Sequence, residues 1–508
     1  MPTLDNQSLL WLSSLLLLVT ALVWRLFQRQ WMLHNIPGPF WAKFTDFHRA
    51  YAVKAKRSHW VQQQYHEHYG PLVRLGPNMV SVADPAAIPV IYPARPGFPK
   101  GSFYEAFIPY TNGGSPPAIF TARDEELHKR LKSPIASLYN LSNVVALEGL
   151  VDEVLDLLCR QLDMRFAMTD QSFDLARWLQ YFAFDVMGTM TFSQRYGFLE
   201  QGQDVNGILG TIWKFMLTVA PMTQLPWLDK LLYKNELMLH LRPHGGNAVL
   251  KFAGDRVQER QAQAASAKGA PTSTSEYCDF LTRFLEIQVA KPSMPPWAAM
   301  VWTFSNVIAG SDSTASVTQT VMFQLLAHPE SLHKLYEELQ AAKKATGLRR
   351  PFPTWQQVAE LPYLDACVNE AIRLHPPFCL PLERVVPAEG VVVCGQYVPA
   401  GTIVGMNPYV VNRDRPTFGE DADDWRPERW LEGDAEHRRK LEASIMTFGA
   451  GRRVCLGRNV ALFEIKKIVP ALVLNYKIDL LDPKSHVTEN SYFFRQYGID
   501  VRVKRRAW

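Results

Sequence analysis

Apolar positions recur at three- and four-residue steps over 147–162, 174–191, 297–326, 329–344 and 361–374, the spacing that gathers side chains on one face of an α-helix. A further apolar helical stretch covers 459–474, and a basic one covers 124–139. Strand-like runs are short, at 72–75, 79–82, 391–393 and 402–406, and the segment 395–401 between the last two is rich in turn formers. Residues 261–275 are small and polar without an apolar period, which reads as a surface loop. No internal repeat is present. The pattern predicts a mainly α protein with a small β portion (α+β).

One run differs in kind. No charge occurs from Asn6 to Trp24, and Leu9 to Val23 is almost wholly apolar. A membrane span needs ~20 such residues and a signal-peptide core only ~7–15. Asp5 precedes the run, while Arg25 and Arg29 follow it, so the positive-inside rule puts the bulk of the chain in the cytosol. Ile36-Pro37-Gly38-Pro39 cannot continue a helix, because proline lacks an amide donor. The expected organisation is a short lumenal N-terminus (1–7), a single-pass transmembrane anchor helix (8–27), a basic, proline-rich hinge (28–40) and one cytosolic domain (41–508).

Composition narrows the function. Of 508 residues, 47 % are hydrophobic and 20 % charged, a globular balance that excludes a disordered chain. Lys and Arg total 54 against 49 acidic residues, a net +5, too mild for a nucleic-acid binder. The six cysteines form no C-x-x-C pair, which argues against a disulfide framework or a zinc site and for a reducing compartment. Cys159, Cys278, Cys367, Cys379 and Cys394 read as ordinary thiols.

Cys455 stands apart, in Phe448-Gly449-Ala450-Gly451-Arg452-Arg453-Val454-Cys455-Leu456-Gly457. The glycines let the backbone turn tightly and approach a large flat ligand. The amides and dipole of the following helix favour thiolate over thiol. A lone thiolate suits one axial bond to an iron already held by four other atoms. Ala309-Gly310-Ser311-Asp312-Ser313-Thr314 interrupts a long apolar helix with residues that are locally unfavourable there, and so calls for an explanation.

Phe448, Gly451, Arg453, Cys455 and Gly457 form F-x-x-G-x-R-x-C-x-G, which resembles the haem-binding loop of the cytochrome P-450 superfamily. The resemblance implies that Cys455 is the proximal thiolate ligand of haem iron. It further implies that Arg453 contacts a propionate and that Phe448 packs beneath the sulfur. Glu370-Ala371-Ile372-Arg373 fits the family's E-x-x-R motif, and Pro427-Glu428-Arg429-Trp430 is similar to its P-E-R-F segment. Glu370, Arg373 and Arg429 are then expected to form a structural charge cluster, in which arginine forks bind carboxylate in pairs. Ala309 and Gly310 leave room for O₂ in this reading, while Asp312 with Ser313 or Thr314 relays protons. Serine stands at 313 where the family most often has threonine, and both hydroxyls remain candidates. His128 and Lys132, with Arg130 between them, take the place of the family's Trp and Arg toward a propionate. Arg384, within Pro381-Leu382-Glu383-Arg384, resembles its other propionate arginine.

The resemblance covers essentially the whole chain, and residues 180–186 and Arg384-Val385-Val386-Pro387 look most like fungal microsomal members, such as pisatin demethylase and benzoate hydroxylase relatives. It implies a cytochrome P-450 fold, haem b (iron protoporphyrin IX), and a monooxygenase that hydroxylates, epoxidises, desaturates or O-dealkylates an apolar small molecule in fungal secondary metabolism. Alternatives are oxidation of a foreign aromatic compound, a haem-thiolate isomerase or dehydratase without net O₂ use, and a haem sensor without turnover. No dinucleotide fingerprint follows a strand, so electrons are expected from an NADPH–cytochrome P-450 reductase in the endoplasmic reticulum membrane, with cytochrome b5 as a second donor to a monomeric enzyme. Lys129, Arg130, Arg438, Arg439, Lys440, Arg452, Lys466 and Lys467 are the candidate basic surface for that partner.

Overall fold

In the computed structural model, the described residues are 32–506 except 96, 109, 111–115, 242–247, 267–278 and 350, together with the isolated positions 11, 13, 14, 17 and 20. Most of the expected anchor, and Cys278, therefore lie outside the described residues. Among those described, no helix is long and apolar enough to cross a membrane.

The expected helices form close to their predicted bounds: Glu148–Leu162, Leu175–Phe192, Ala298–Ala327, Pro329–Thr346, Pro362–Leu374 and Arg458–Asn475. Glu148–Leu162 keeps an exposed stripe, whereas Leu175–Phe192, Pro362–Leu374 and Arg458–Asn475 are buried on nearly every face, as central helices of a large core must be. Leu175–Phe192 lies along Ala298–Ala327, and their side chains share one continuous apolar cluster with Phe463, Ile465 and Ile468 of Arg458–Asn475.

Four short strands make the main sheet, in the order Leu72–Gly76, Met79–Val82, Ile403–Gly405, Arg384–Val385. The middle pair is parallel, with Val80 opposite Val404, and the outer pairs are antiparallel. The proline hinge is docked onto its first strand by an Arg74 amide donating to the Pro37 carbonyl (2.7 Å).

Three expectations are corrected. The basic helix ends at Lys132, and Ala136–Tyr139 forms only a 3-10 turn, because Pro134 has no amide to donate to the next helical hydrogen bond. Residues 261–266 belong to the helix Ala248–Ser266. Their Gln-Ala-Gln-Ala-Ala sequence has high helix propensity even without an apolar face. Within the turn-rich segment 395–401, Gln396–Val398 is a strand paired with Val391–Val393, joined by Cys394 and Gly395, both at positive φ (50° and 73°), as a two-residue hairpin turn requires.

Candidate functional site

Cys455 closes the loop that presents it. Its amide donates to the Phe448 carbonyl (2.8 Å), and the glycines between them turn the chain through left-handed conformations at Gly449 (φ 66°) and Gly451 (φ 62°). A Cβ on Gly451 would lie 2.1 Å from the Tyr92 carbonyl oxygen and 2.4 Å from that of Pro93, so both backbone angle and space demand glycine there. Gly457 differs from the expectation of a tight turn. Its backbone is ordinary (φ −84°, ψ 10°), and a Cβ would meet no protein atom within 4 Å. Its smallness leaves open the approach to the sulfur.

The Cys455 side chain is exposed at its own surface but sits deep in the protein mass. Burial pushes its thiol above the ordinary cysteine range, while the Gly457 amide, the Lys132 and Arg458 charges and the Arg458 amide pull it down. The amides act on the sulfur in the expected sense.

Cations converge beside this loop. Arg453 donates from Nε and Nη2 to one Glu125 oxygen, Oε1, and to the Ala122 carbonyl (2.8 Å). Lys132 donates to the carbonyls of Arg452 (2.9 Å) and Val454 (3.4 Å). Arg384 donates to the Tyr104 hydroxyl (2.9 Å) and lies over the Tyr92 ring. Lys100, which the sequence reading missed, bridges by backbone to Arg384 and places its ammonium 3.9 Å from the Tyr104 ring centroid. It is only 4 % exposed. Burial and the charges of Arg384 and Arg453 hold its pKa well below the ordinary lysine range. His128 is buried with an unpartnered Nδ1 and has its pKa lowered to about 3 by burial and the Arg453 and Lys132 charges. Glu125 is the carboxylate paired with this group; Glu383 is committed to Arg49. Four clustered cations with so few counter-charges fit a ligand that brings carboxylates of its own, as haem does through its two propionates.

The central helix leaves two of its small residues uncovered. Ala309 is exposed and Ser313 partly exposed in the middle of an otherwise buried helix, one turn apart, with the Ser313 hydroxyl donating to the Ala309 carbonyl (2.6 Å). Thr314 is 3 % exposed and faces protein. Gly310 does not open space for oxygen. A Cβ there would lie 2.7 Å from the Met187 sulfur, so the glycine admits the neighbouring helix Leu175–Phe192. The helix stays unbroken through this stretch, although its hydroxyls bond to carbonyls four residues back, which by itself slightly destabilises a helix. Tyr139 ties it to the cysteine helix: its hydroxyl donates to Asn306 (2.5 Å), and its carbonyl accepts from Asn459 (2.9 Å). Asp312 accepts from Gln180 Nε2 (2.9 Å), and burial pushes its pKa up to about 6.

Glu370, Arg373 and Arg429 are brought together in full burial. Arg373 binds both Glu370 oxygens (2.8 and 2.7 Å), and Arg429 Nε adds a third bond (2.9 Å). Trp430 Nε1, unanticipated from sequence, donates to Glu370 Oε2 (2.9 Å). Arg373 and Arg429 spend their remaining donors on carbonyls of Asn412, Ala422, Asp424, Phe418 and Asp421, fixing the segment that leads to the cysteine loop.

Two members of the expected basic surface are not surface residues. Lys467 is 1 % exposed and pairs with Glu148 and Asp152. Lys466 is 9 % exposed and pairs with Asp365. Arg452 is partly covered and pairs with Glu125. Lys129, Arg130, Arg439 and Lys440 are exposed, and Arg438 partly so.

Residues 34–497 match the cytochrome P450 family profile. The chain is 52 % identical over 482 residues to cytochrome P450 monooxygenase asR2 of Sarocladium schorii, covering 94 % of this chain and 93 % of that protein. It is 53 % identical over 474 residues to cytochrome P450 monooxygenase pkfB of Emericella nidulans, with 93 % and 92 % covered. It is 54 % identical over 477 residues to cytochrome P450 monooxygenase mpaDE of Penicillium roqueforti, matching 94 % of this chain but spanning only 55 % of that relative's length. A mainly helical fold, a lone cysteine on a glycine-shaped loop and these matches lead to one conclusion: the chain belongs to the cytochrome P450 family.

Proposed function

We propose that this protein is a haem-thiolate monooxygenase of fungal secondary metabolism. The observation that carries the reading is the Cys455 sulfur, held just before the N-terminus of Arg458–Asn475 beside clustered cations, with that helix packed against the one that uncovers Ala309 and Ser313. Cys455 would bind the iron of haem b, and Lys100, Lys132, Arg384 and Arg453 would receive the propionates, with His128 donating from Nδ1. So held, haem supplies activation of O₂ by two electrons from NADPH–cytochrome P450 reductase, one oxygen atom entering the substrate and the other leaving as water.

The chain's own residues orient the substrate and deliver protons. Phe107, Phe120, Phe378 and Tyr492 stand edge-to-face or tilted around one another at ring separations of 4.2–6.4 Å, an aromatic wall suited to an apolar small molecule. Ser313, rather than buried Thr314, is the hydroxyl on the open side, and it passes protons that Asp312 takes up. The presence of an acid and an alcohol side by side, Asp312 and Ser313, favours O₂ use over isomerisation or dehydration. Glu370, Arg373 and Arg429 act structurally.

Residues 8–27 would anchor the protein in the endoplasmic reticulum membrane, with 41–508 in the cytosol. Exposed Phe40, Trp41, Phe44, Phe47, Trp227 and Leu231, with Phe47 and Trp227 in edge contact, support a lipid-facing side. Lys129, Arg130, Arg438, Arg439 and Lys440 remain the candidate reductase surface. Incubating the haem-loaded protein with reductase, NADPH and a panel of apolar aromatics tests the reading. A product heavier by one oxygen, or lighter by an alkyl group, is expected; NADPH-independent rearrangement would refute it.

A further inference from the structure

Asp312 does not share the exposed face of Ala309 and Ser313. It lines a separate, partly enclosed cleft together with Gln180, Trp213, Arg495 and Gln496. Three elements build this cleft, and buried amides lock them together. Gln319 donates to the Ala176 carbonyl (2.7 Å), tying the central helix to Leu175–Phe192. Gln496 donates to the Ser316 carbonyl (2.7 Å) and the Thr320 hydroxyl (2.9 Å), tying it to the strand Phe494–Tyr497. Arg495, exposed, lies over the Trp213 ring at 5.3 Å. Gln180, from Leu175–Phe192, reaches the Asp312 carboxyl, and Arg495 is the charged group acting on that carboxyl from the packed elements.

We propose that this cleft is the proton-entry vestibule and that Gln180 is its positioning residue. By donating to Asp312 Oδ1, Gln180 fixes the carboxyl at the cleft, one residue before Ser313. The other carboxyl oxygen takes up a solvent proton (a net hydronium, leaving water) delivered through the cleft and passes it by way of water to the Ser313 oxygen, as that hydroxyl releases its own proton from the Ala309 carbonyl. Asp312 is left anionic for the second proton of the turnover, and no electron moves in this step. The proposal rests on the monooxygenase reading and on the Asp312–Ser313 relay.

The test measures peroxide against product per NADPH in the reductase-coupled holoenzyme, for the parent, Gln180→Leu, Gln180→Glu and Ser313→Ala. Gln180→Leu loses a hydrogen bond to a charged group, and its peroxide-to-product ratio is expected to rise at least about tenfold. Gln180→Glu should couple like the parent near about pH 6, where a proton shared between the two carboxyls keeps one donor. It should fall to the level of Gln180→Leu near about pH 8, where the two anions repel. Altered packing alone gives no such pH dependence, and the near-isosteric Glu variant carries the test if the Leu variant loses its thiolate-type spectrum. Parental coupling in the Gln180 variants, or a pH-independent loss in Gln180→Glu, overturns the proposal. If Ser313→Ala also couples normally, the relay itself is wrong; if Ser313→Ala uncouples while the Gln180 variants do not, only the role of Gln180 falls.

Discussion

Glu370→Ala removes the carboxylate at the centre of the buried charge cluster. Three guanidinium bonds, the Trp430 indole bond and the Arg426 amide bond (3.1 Å) all converge on its two oxygens. Both Glu370 and Arg373 are 0 % exposed and Arg429 is 2 % exposed, so water cannot replace the lost acceptors. The bonds do not add, because the pair also had to be desolvated. The measured cost of stripping one partner from such a site, about 3–5 kcal/mol, already contains both effects. A control sits on the surface. Glu286 and Arg283 are also paired, at 3.2 Å and three residues apart, but both are about half exposed, and Glu286→Ala should cost no more than about 0.5 kcal/mol. Guanidinium unfolding of the haem-loaded protein, followed by far-UV circular dichroism and the haem band, gives both values. Equal, small losses for the two variants would refute the reasoning that burial of the Arg373 guanidinium charge, left without a carboxylate while Arg429 keeps Asp421 (3.2 Å), makes this cluster essential.

Gly451→Ala should prevent haem retention, since its Cβ strikes two backbone carbonyls at a φ that costs a side chain about 1–2 kcal/mol; stable haem loading would contradict the loop geometry. Ser313→Ala should divert electrons to peroxide and Thr314→Ala should not, as judged by peroxide per NADPH. Lys100→Met should weaken haem binding in titrations of the apoprotein while leaving the fold intact; unchanged affinity would remove Lys100 from the propionate site. Asp312 has a folded pKa of about 6, above its ordinary 3.8, so the native state holds this proton more tightly than the unfolded chain. That contribution declines as pH rises from about 4 through about 6. Asp312→Asn should therefore gain stability relative to the parent across that window and hold the gain above it; a difference independent of pH would contradict the burial of the carboxyl.

The cysteine loop was legible because its constraints are local: Gly449 and Gly451 turn the chain and Cys455 closes it, all within ten residues. The long helices were legible for the same reason, as periodic apolar stripes. What sequence hid depends on partners far along the chain. Lys100 gains its place from a backbone bridge to Arg384. Lys466 and Lys467 look like surface residues until Asp365, Glu148 and Asp152 close over them. Gly310 was read as space for oxygen, yet Met187 from another helix fills that side. Gln180 gave no signal of its own, since its role is a single bond across two helices.

The bond from sulfur to iron is the quantity on which the rest depends, and X-ray absorption at the iron edge, paired with the carbon monoxide spectrum of the reduced protein, reads it directly. Sulfur as the fifth donor with a thiolate-type spectrum is expected, both lost in Cys455→Ala. A nitrogen donor in the parent, or a thiolate-type spectrum surviving in Cys455→Ala, would contradict it.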